Sequence, residues 1–308
     1  MVEKSEKIWI DGQFTDWDAA NVHVLTHALH YGYGVFEGIR AYRCADGSSA
    51  VFRLDDHLTR LFESAYMLQL PMPYDQRALT ETCVETLRIN KMREGYLRPI
   101  AYVGTGGMGL GVMNNPTQVV VIAWPWGAYL GEEGLSKGIR CCISSYPRNA
   151  INSLLSKGKI IGQYVNSILA KRDALKNGFD EAVMLDTRGY VAEGTGENLF
   201  MVKNGVLHTP PLSAAILGGI TRDSVMTLAH DLGIDVRETM ITRDQLYVAD
   251  EVFLVGTAAE VTPVREIDHR TIGIGARGAM TERLQKAFFE VVSGQNAEHG
   301  AWLTRYSL

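Results

Sequence analysis

The sequence predicts a mixed α/β (α+β) chain of two domains, and three observations predict it. A chain of 308 residues, 46% hydrophobic and 21% charged, can bury one large core or two ordinary ones. Several strands and two amphipathic helices fill the first 125 residues. After Trp126-Gly-Ala-Tyr-Leu-Gly131 the pattern changes, and strands and hairpins recur around two longer helices. The expected division is a small N-terminal α+β domain over 1–125, an interdomain loop over 126–137, and a large C-terminal domain over 138–308.

Each element follows from local pattern. Ile8–Phe14 reads as strand, Asp-Gly turn and strand, because Asp-Gly tolerates the positive φ of a tight hairpin. Ile39–Tyr42 is a strand, turned at Asp46-Gly47 into Ala50–Arg53. Leu54–Leu70 is a helix with Leu58, Leu61, Phe62 and Ala65 on one face, and Leu79–Ile89 is another through Cys83, Val84 and Leu87. Tyr96–Val103 and Gln118–Trp124 are strands joined by a glycine-rich loop. Beyond the boundary come a strand at Gly138–Ser145, a helix at Tyr164–Asn177, and strands at Glu181–Leu185 and Tyr190–Gly194. Asn198–Val202 then turns at Asn204-Gly205, a strong hairpin signal. Asp223–Leu232 is a helix, Val252–Val255 a strand and Thr281–Ser293 a closing helix.

Composition excludes several roles. A net charge of -5 favours neither nucleic acid nor an anionic membrane. Cys44, Cys83, Cys141 and Cys142 lack metal-ligand spacing and suit reduced thiols in a cytoplasmic protein. The N-terminus has no apolar signal core, and no apolar run is long enough to span a bilayer. Gly104-Thr-Gly-Gly-Met-Gly109 matches the dinucleotide fingerprint, but a strand follows it, and position 129 holds a tyrosine where an acid is needed. His23, His27 and His30 have no nearby Cys, Asp or Glu to complete a metal set, so they are read as structural.

The chemistry centres on Ser153-Leu-Leu-Ser-Lys-Gly-Lys-Ile-Ile-Gly-Gln-Tyr164. A lysine held partly dry among small and apolar residues loses its hydration, and the neutral amine can form a Schiff base with a carbonyl. Lys157 and Lys159 are both candidates, Lys159 being favoured; a solvated lysine at a helix start is the plain alternative. In Ala192-Glu-Gly-Thr-Gly-Glu-Asn198, Glu193 or Glu197 could keep a pyridine nitrogen protonated. Leu217-Gly-Gly-Ile-Thr-Arg-Asp-Ser-Val225 opens a helix whose backbone N–H groups suit a phosphate. Gly256-Thr-Ala, directly after a strand, offers further N–H groups to an anion. An imine lysine, a ring-nitrogen carboxylate and a phosphate cradle together answer the needs of pyridoxal 5'-phosphate.

At these residues the sequence resembles the bacterial branched-chain amino-acid aminotransferases, within the class IV aminotransferases and the fold-type-IV pyridoxal-phosphate enzymes. The likeness rests on His27-Ala-Leu-His-Tyr-Gly-Tyr-Gly-Val-Phe-Glu-Gly-Ile-Arg40, Tyr96-Leu-Arg-Pro99, Ala123-Trp-Pro-Trp-Gly-Ala-Tyr-Leu-Gly131, Glu193-Gly-Thr-Gly-Glu-Asn198, Gly219-Ile-Thr-Arg-Asp223 and Gly256-Thr-Ala-Ala-Glu260. The resemblance implies a D-amino-acid-aminotransferase-like fold with the cofactor at the domain interface. It implies Lys159, five residues before Tyr164, as the Schiff-base lysine, and Lys157 as solvated. It implies Glu193 at the ring nitrogen, Tyr164 at the phenolic oxygen, and Arg60, Ile220, Thr221, Gly256 and Thr257 around the phosphate. For substrate it implies Tyr96, Thr257 and Ala258 at the α-carboxylate, and Tyr31, Phe36, Gly38, Trp126, Tyr129 and Tyr164 around an apolar side-chain pocket. Arg98, with the hydroxyls of Tyr31 and Tyr129, would meet a γ-carboxylate, and Met108 and Leu110 would reach a neighbouring subunit's site. The implied reaction is ping-pong transamination between L-leucine, L-isoleucine or L-valine and 2-oxoglutarate, by a cytoplasmic homodimer or trimer of dimers that requires no metal. The rival readings are a D-amino-acid or (R)-amine transaminase, an aminodeoxychorismate lyase, a nucleotide-dependent oxidoreductase using the glycine-rich loop, and a non-catalytic binding protein.

Overall fold

The computed structural model describes residues 2–127 and 130–308, and these form two compact units. Unit 1 comprises Met1–Gly127, Gly158–Gln163 and Val291–Leu308; unit 2 comprises Ala128–Lys157 and Tyr164–Glu290. This division differs from the contiguous one expected, which placed the lysine segment and the C-terminus in a domain over 138–308. Long-range backbone bonding is the reason. Ile160 bridges to Val35, and the Phe36 N–H donates to the Lys159 carbonyl at 3.1 Å. The C-terminal strand, Leu303–Tyr306, pairs antiparallel with Ser49–Phe52.

Unit 1 is built on β1 (Lys7–Ile10), β2 (Gln13–Asp16), β3 (Gly34–Phe36), β4 (Ile39–Arg43), β5 (Ser49–Phe52), β6 (Gly95–Val103) and β7 (Thr117–Trp124). Their order is C-terminal strand, β5, β4, β6, β7, β1, β2, with β3 also on β6. Asp11 and Gly12 take positive φ (45° and 97°), as the Asp-Gly hairpin requires. A short helix α1 (His27–Tyr31) precedes β3, and α2 (Leu54–Met67) and α3 (Gln76–Ile89) follow β5. Leu54, Leu58, Leu61, Leu79, Cys83 and Leu87 are fully buried and share one core with Val35, Ile39, Val51, Leu97 and Val121. The 3.6-residue spacing of those leucines is what commits α2 and α3 to this core. Asp75 caps α3 by accepting from the Ala78 N–H at 2.8 Å.

Unit 2 opens with α4 (Glu132–Lys137), within the stretch expected to be a loop. Its sheet is mixed: β8 (Ile139–Ile143), β9 (Glu181–Leu185), β10 (Val191–Gly194), β11 (Asn198–Lys203), β12 (Val206–Thr209), β13 (Val236–Glu238), β14 (Glu251–Gly256), β15 (Glu260–Ile267) and β16 (Arg270–Thr271). The order is β10, β9, β8, β15, β14, β11, β12, β13, with β16 on β15. β8 and β9 are parallel, so the chain between them must cross over, and it does so through α5 (Tyr164–Lys176). α6 (Ile220–Asp231), α7 (Arg243–Tyr247) and α8 (Ala279–Val292) complete the order. β15 was not expected from the sequence, because Pro263 breaks its strand pattern. Pro263 precedes the first pair with β8, Val264 with Ile139, so its missing N–H removes nothing from that ladder.

Candidate active site

Unit 1 clamps Lys159 by its backbone. The Lys159 N–H donates to Ser64 Oγ of α2 at 3.0 Å, and its carbonyl accepts from Phe36 at the end of β3. The half-buried side chain places Nζ 5.3 Å from the centre of the Phe36 ring. Arg60 lies on the same helix and grips Glu37 with Nε and Nη2, at 2.7 and 2.8 Å. His57, three residues earlier, gives Nδ1–H to the same carboxylate at 2.7 Å. Glu37 is fully buried. Burial alone would push its carboxyl up, but Arg60 and His57 together hold it well below the usual range. Burial likewise pushes His57 down, against the pull of Glu37. A carboxylate can only accept, so the neutral imidazole carries its proton on Nδ1.

Beside this cluster stands an aromatic wall. The Arg98 guanidinium lies 4.7 Å from the Phe36 ring centre, 5.4 Å from Tyr96 and 5.7 Å from Trp124. Its Nε is buried without a hydrogen-bond partner among the described residues. Tyr96 packs edge-on to Trp126 at 4.4 Å, and Arg40 Nη2 donates to the Trp126 carbonyl at 3.3 Å. Gly38 must lack a side chain: a Cβ there would stand 1.9 Å from the Tyr96 hydroxyl.

Tyr31, Met108 and Leu110 form a separate, exposed group on unit 1. His27 Nε2 holds the Gly109 carbonyl at 3.0 Å while its ring packs on Tyr31 at 4.5 Å, tying the glycine-rich loop to α1. His30 donates to the Val24 carbonyl at 2.7 Å, and His23 Nδ1 accepts from the Leu25 N–H at 3.1 Å. The loop itself closes on Asn115, which accepts from the Gly107 N–H and donates to its carbonyl. It joins β6 to β7 antiparallel, not a strand to a helix. Tyr129 lies outside the described residues.

Unit 2 carries a second network around Glu193. A one-residue bulge at Ala192, between the pairs Val191–Leu185 and Glu193–Met184, re-aims the glutamate. Its Oε1 meets Arg148 Nη2 at 2.7 Å, and its Oε2 accepts from Asn198 Nδ2 at 3.0 Å and the Leu217 N–H at 3.2 Å. Arg148, Glu193 and Asn198 are all buried, so the guanidinium is the countercharge of a carboxylate with little access to water. Asn198 also donates to the Leu217 carbonyl at 2.9 Å, joining Glu193 to the segment leading into α6. Gly219 precedes α6 without a side-chain cap, and a Cβ there would stand 1.9 Å from Asn198 Oδ1. The helix therefore opens with uncapped backbone donors at Ile220 and the buried Thr221, which suits a phosphate. Gly256 ends β14, where it faces the backbone of Gly196 and Glu197, and Thr257 and Ala258 begin the turn to β15. Tyr164 begins α5 and is half-buried.

The paired candidates of the sequence differ in their surroundings. Glu197 is buried, and its carboxyl is pushed up to about 8 by burial and the neighbouring Glu181 carboxylate. Glu193, by contrast, has the Arg148 guanidinium beside it. Lys157 is not the solvated residue expected. It is half-buried and donates to the carbonyls of Leu212 and, at 2.7 Å, Ile216, so it fastens the turn ahead of α6.

Sequence reasoning missed Arg148, Glu37, His57 and Ser64. Arg148 sits in the irregular stretch after β8, where an arginine carries no periodic signal. His57 and Ser64 share a helix face with Leu61 and Arg60, and their burial was the only clue available.

The amino-transferase class IV family model matches residues 34–267. The branched-chain-amino-acid aminotransferase of Pseudomonas aeruginosa is 48% identical over 304 residues, covering 99% of this chain and 98% of that relative. The crystal structure of the Escherichia coli branched-chain amino acid aminotransferase superposes with a TM-score of 0.95 at 44% identity, over 97% of this chain and 99% of that one. The branched-chain amino acid aminotransferase of T.th., complexed with N-(5'-phosphopyridoxyl)-L-glutamate, superposes with a TM-score of 0.93 at 48% identity, over 98% of each chain. A likeness that runs end to end, through both sheets and through every segment that builds these two networks, places the chain in the class IV aminotransferase family.

Proposed function

We propose that this chain is a branched-chain amino-acid aminotransferase that passes the amino group of L-leucine, L-isoleucine or L-valine to 2-oxoglutarate through pyridoxal 5'-phosphate. The observation that carries the substrate class is Arg98, a half-buried cation set among Phe36, Tyr96 and Trp124, its Nε buried. Aromatic faces accept an aliphatic side chain, and a guanidinium among them accepts the γ-carboxylate of the second substrate. The relatives' names and the phosphopyridoxyl-glutamate in the T.th. structure support the same reading.

The residues present fit the cofactor. The uncapped start of α6 at Gly219, Ile220 and Thr221 would hold its phosphate, with Arg60, Gly256 and Thr257. Glu193, neutralised by Arg148 and fixed by Asn198, would hold the ring nitrogen, and Tyr164 the phenolic oxygen. When bound, pyridoxal phosphate supplies an aldehyde that exchanges with the substrate amine and a ring that takes up electron density. Lys159 Nζ would hold the cofactor's aldehyde and would be the amine placed to move the proton at the substrate Cα. Its backbone is held at both ends, so the amine swings about a fixed base. Tyr96 and the N–H groups of Thr257 and Ala258 bind the α-carboxylate, while Phe36, Gly38 and Trp126 shape the side-chain pocket. Tyr31, Met108 and Leu110, exposed on this chain, serve the site of a second copy in a homodimer or larger assembly of dimers.

A visible spectrum tests the reading. L-leucine should abolish the absorbance of the Lys159-bound cofactor, and 2-oxoglutarate should restore it. Lys159→Ala should show neither band nor turnover; survival of both would refute the lysine. A response to D-amino acids or (R)-phenylethylamine in place of L-leucine would move the enzyme to another activity of the same fold.

A further inference from the structure

We propose that Glu37, His57 and Ser64 are positioning residues that tie Arg60 and Lys159 into one hydrogen-bonded unit, presetting the arginine for the phosphate of an aldehyde cofactor. The proposal rests on the functional reading above, in which Arg60 is a phosphate ligand and Lys159 the amine.

The connections run through short bonds that are buried or partly buried. Ser64 Oγ donates to the Arg60 carbonyl at 2.7 Å and accepts from the Lys159 N–H at 3.0 Å, so one hydroxyl joins the two backbones. Phe36 holds the Lys159 carbonyl, and the next residue, Glu37, grips the Arg60 side chain at both carboxylate oxygens. Glu37 cannot swing away, because its N–H donates to the Pro99 carbonyl at 2.9 Å and its Oε2 also accepts from His57. An arginine side chain alone samples many rotamers, and binding an anion would have to freeze it. Here Glu37 takes the Nε–Nη2 edge, which fixes the plane of the guanidinium and turns the Nη1 edge away from the carboxylate. The neutral His57 adds a bond without adding charge, so the cluster keeps one cation against one anion. An ion pair serving only to pin α2 to β3 would stabilise the fold but would not distinguish cofactors with and without phosphate.

That difference is the test. The full-length apoenzyme is titrated with pyridoxal 5'-phosphate and with pyridoxal, following visible absorbance and heat. Wild type should bind the phosphorylated aldehyde far more tightly. Glu37→Gln should weaken pyridoxal phosphate at least about tenfold, the loss typical when a residue that orients a ligand is removed, and leave pyridoxal within about twofold. His57→Gln should act in the same direction with a smaller change, and it is the variant to read if Glu37→Gln does not fold. Ser64→Ala, which loosens the Lys159 backbone as well, should weaken both aldehydes. Equal loss of both ligands in Glu37→Gln and His57→Gln, or no loss in either, would overturn the positioning role while leaving the function intact. A wild type that did not prefer the phosphorylated aldehyde would overturn the cofactor reading itself, and the proposal with it.

Discussion

Single carboxylates in this protein differ by what surrounds them. Glu193 has an arginine at 2.7 Å, whereas Glu197, four residues on, lies against Glu181 and is pushed up to about 8. Removing the Glu193 carboxylate in Glu193→Gln should leave the cofactor bound and lower turnover by roughly a hundredfold, the scale for losing one preorganised charge. An unchanged rate in steady-state assays would transfer the ring-nitrogen role elsewhere. Arg148→Met removes the guanidinium beside that buried charge and should cost about 3–5 kcal/mol, read from the thermal midpoint and from denaturant unfolding. For Glu197 the sign runs the other way with pH. Its carboxyl keeps a proton up to about 8 in the folded chain, whereas an ordinary glutamate ionises at 4.5. The folded state therefore binds the extra proton across that window, and stability falls as pH rises through it. Glu197→Gln should flatten the decline of the thermal midpoint over the same range; a slope equal to wild type would show that Glu197 is ionised in the folded protein. The difference in surroundings was not readable in the local sequence, where both glutamates stand among the same small residues; both are buried, and the charged neighbour, Arg148 or Glu181, tells them apart.

At the level of elements, local chemistry was a sound guide wherever a turn or an apolar stripe was strong. Asn204 and Gly205 take the positive φ values, 51° and 77°, that their hairpin needs, and β11 pairs with β12 across them. α2 starts at Leu54 because its leucines recur at the helical period, and α3 likewise buries Leu79, Cys83 and Leu87. α6 begins at Ile220, earlier than the expected Asp223, since Gly219 and Ile220 carry no capping signal. Elements recruited by distant partners escaped notice. β15 owes its place to β14 and β8 on its two sides, and the C-terminal strand owes its place to β5. The Tyr306 hydroxyl on that last strand donates to the Met92 carbonyl at 2.8 Å, buried. Tyr306→Phe should cost about 1 kcal/mol in urea unfolding, the typical net worth of one such bond. Deleting Leu303–Leu308 should cost several times as much, because it also uncovers the edge of β5. A truncated chain as stable as wild type would show that the strand is an accessory.

For the molecule as a whole, the exposed apolar residues make the strongest demand. Leu110 is 89% exposed and Met113 85%, on the same loop as Met108 between β6 and β7. Covering them by a second copy fits the proposed homodimer, so sedimentation equilibrium should return at least twice the 34.0 kDa chain mass. A fully active monomer would refute it. The sequence by itself determined the family-bearing motifs, the hairpins and the amphipathic helices, because each depends on neighbours a few positions away. Tertiary structure alone decided which unit holds Lys159, that Lys157 fastens a turn, and that Arg148 and Glu37 serve Glu193 and Arg60. Those outcomes depend on burial and on bonds between residues far apart in the chain, and one sequence carries no period that reports them. Lys159 shows both sides: its motif is local, but its placement comes from Ser64 and Phe36, each more than ninety residues away.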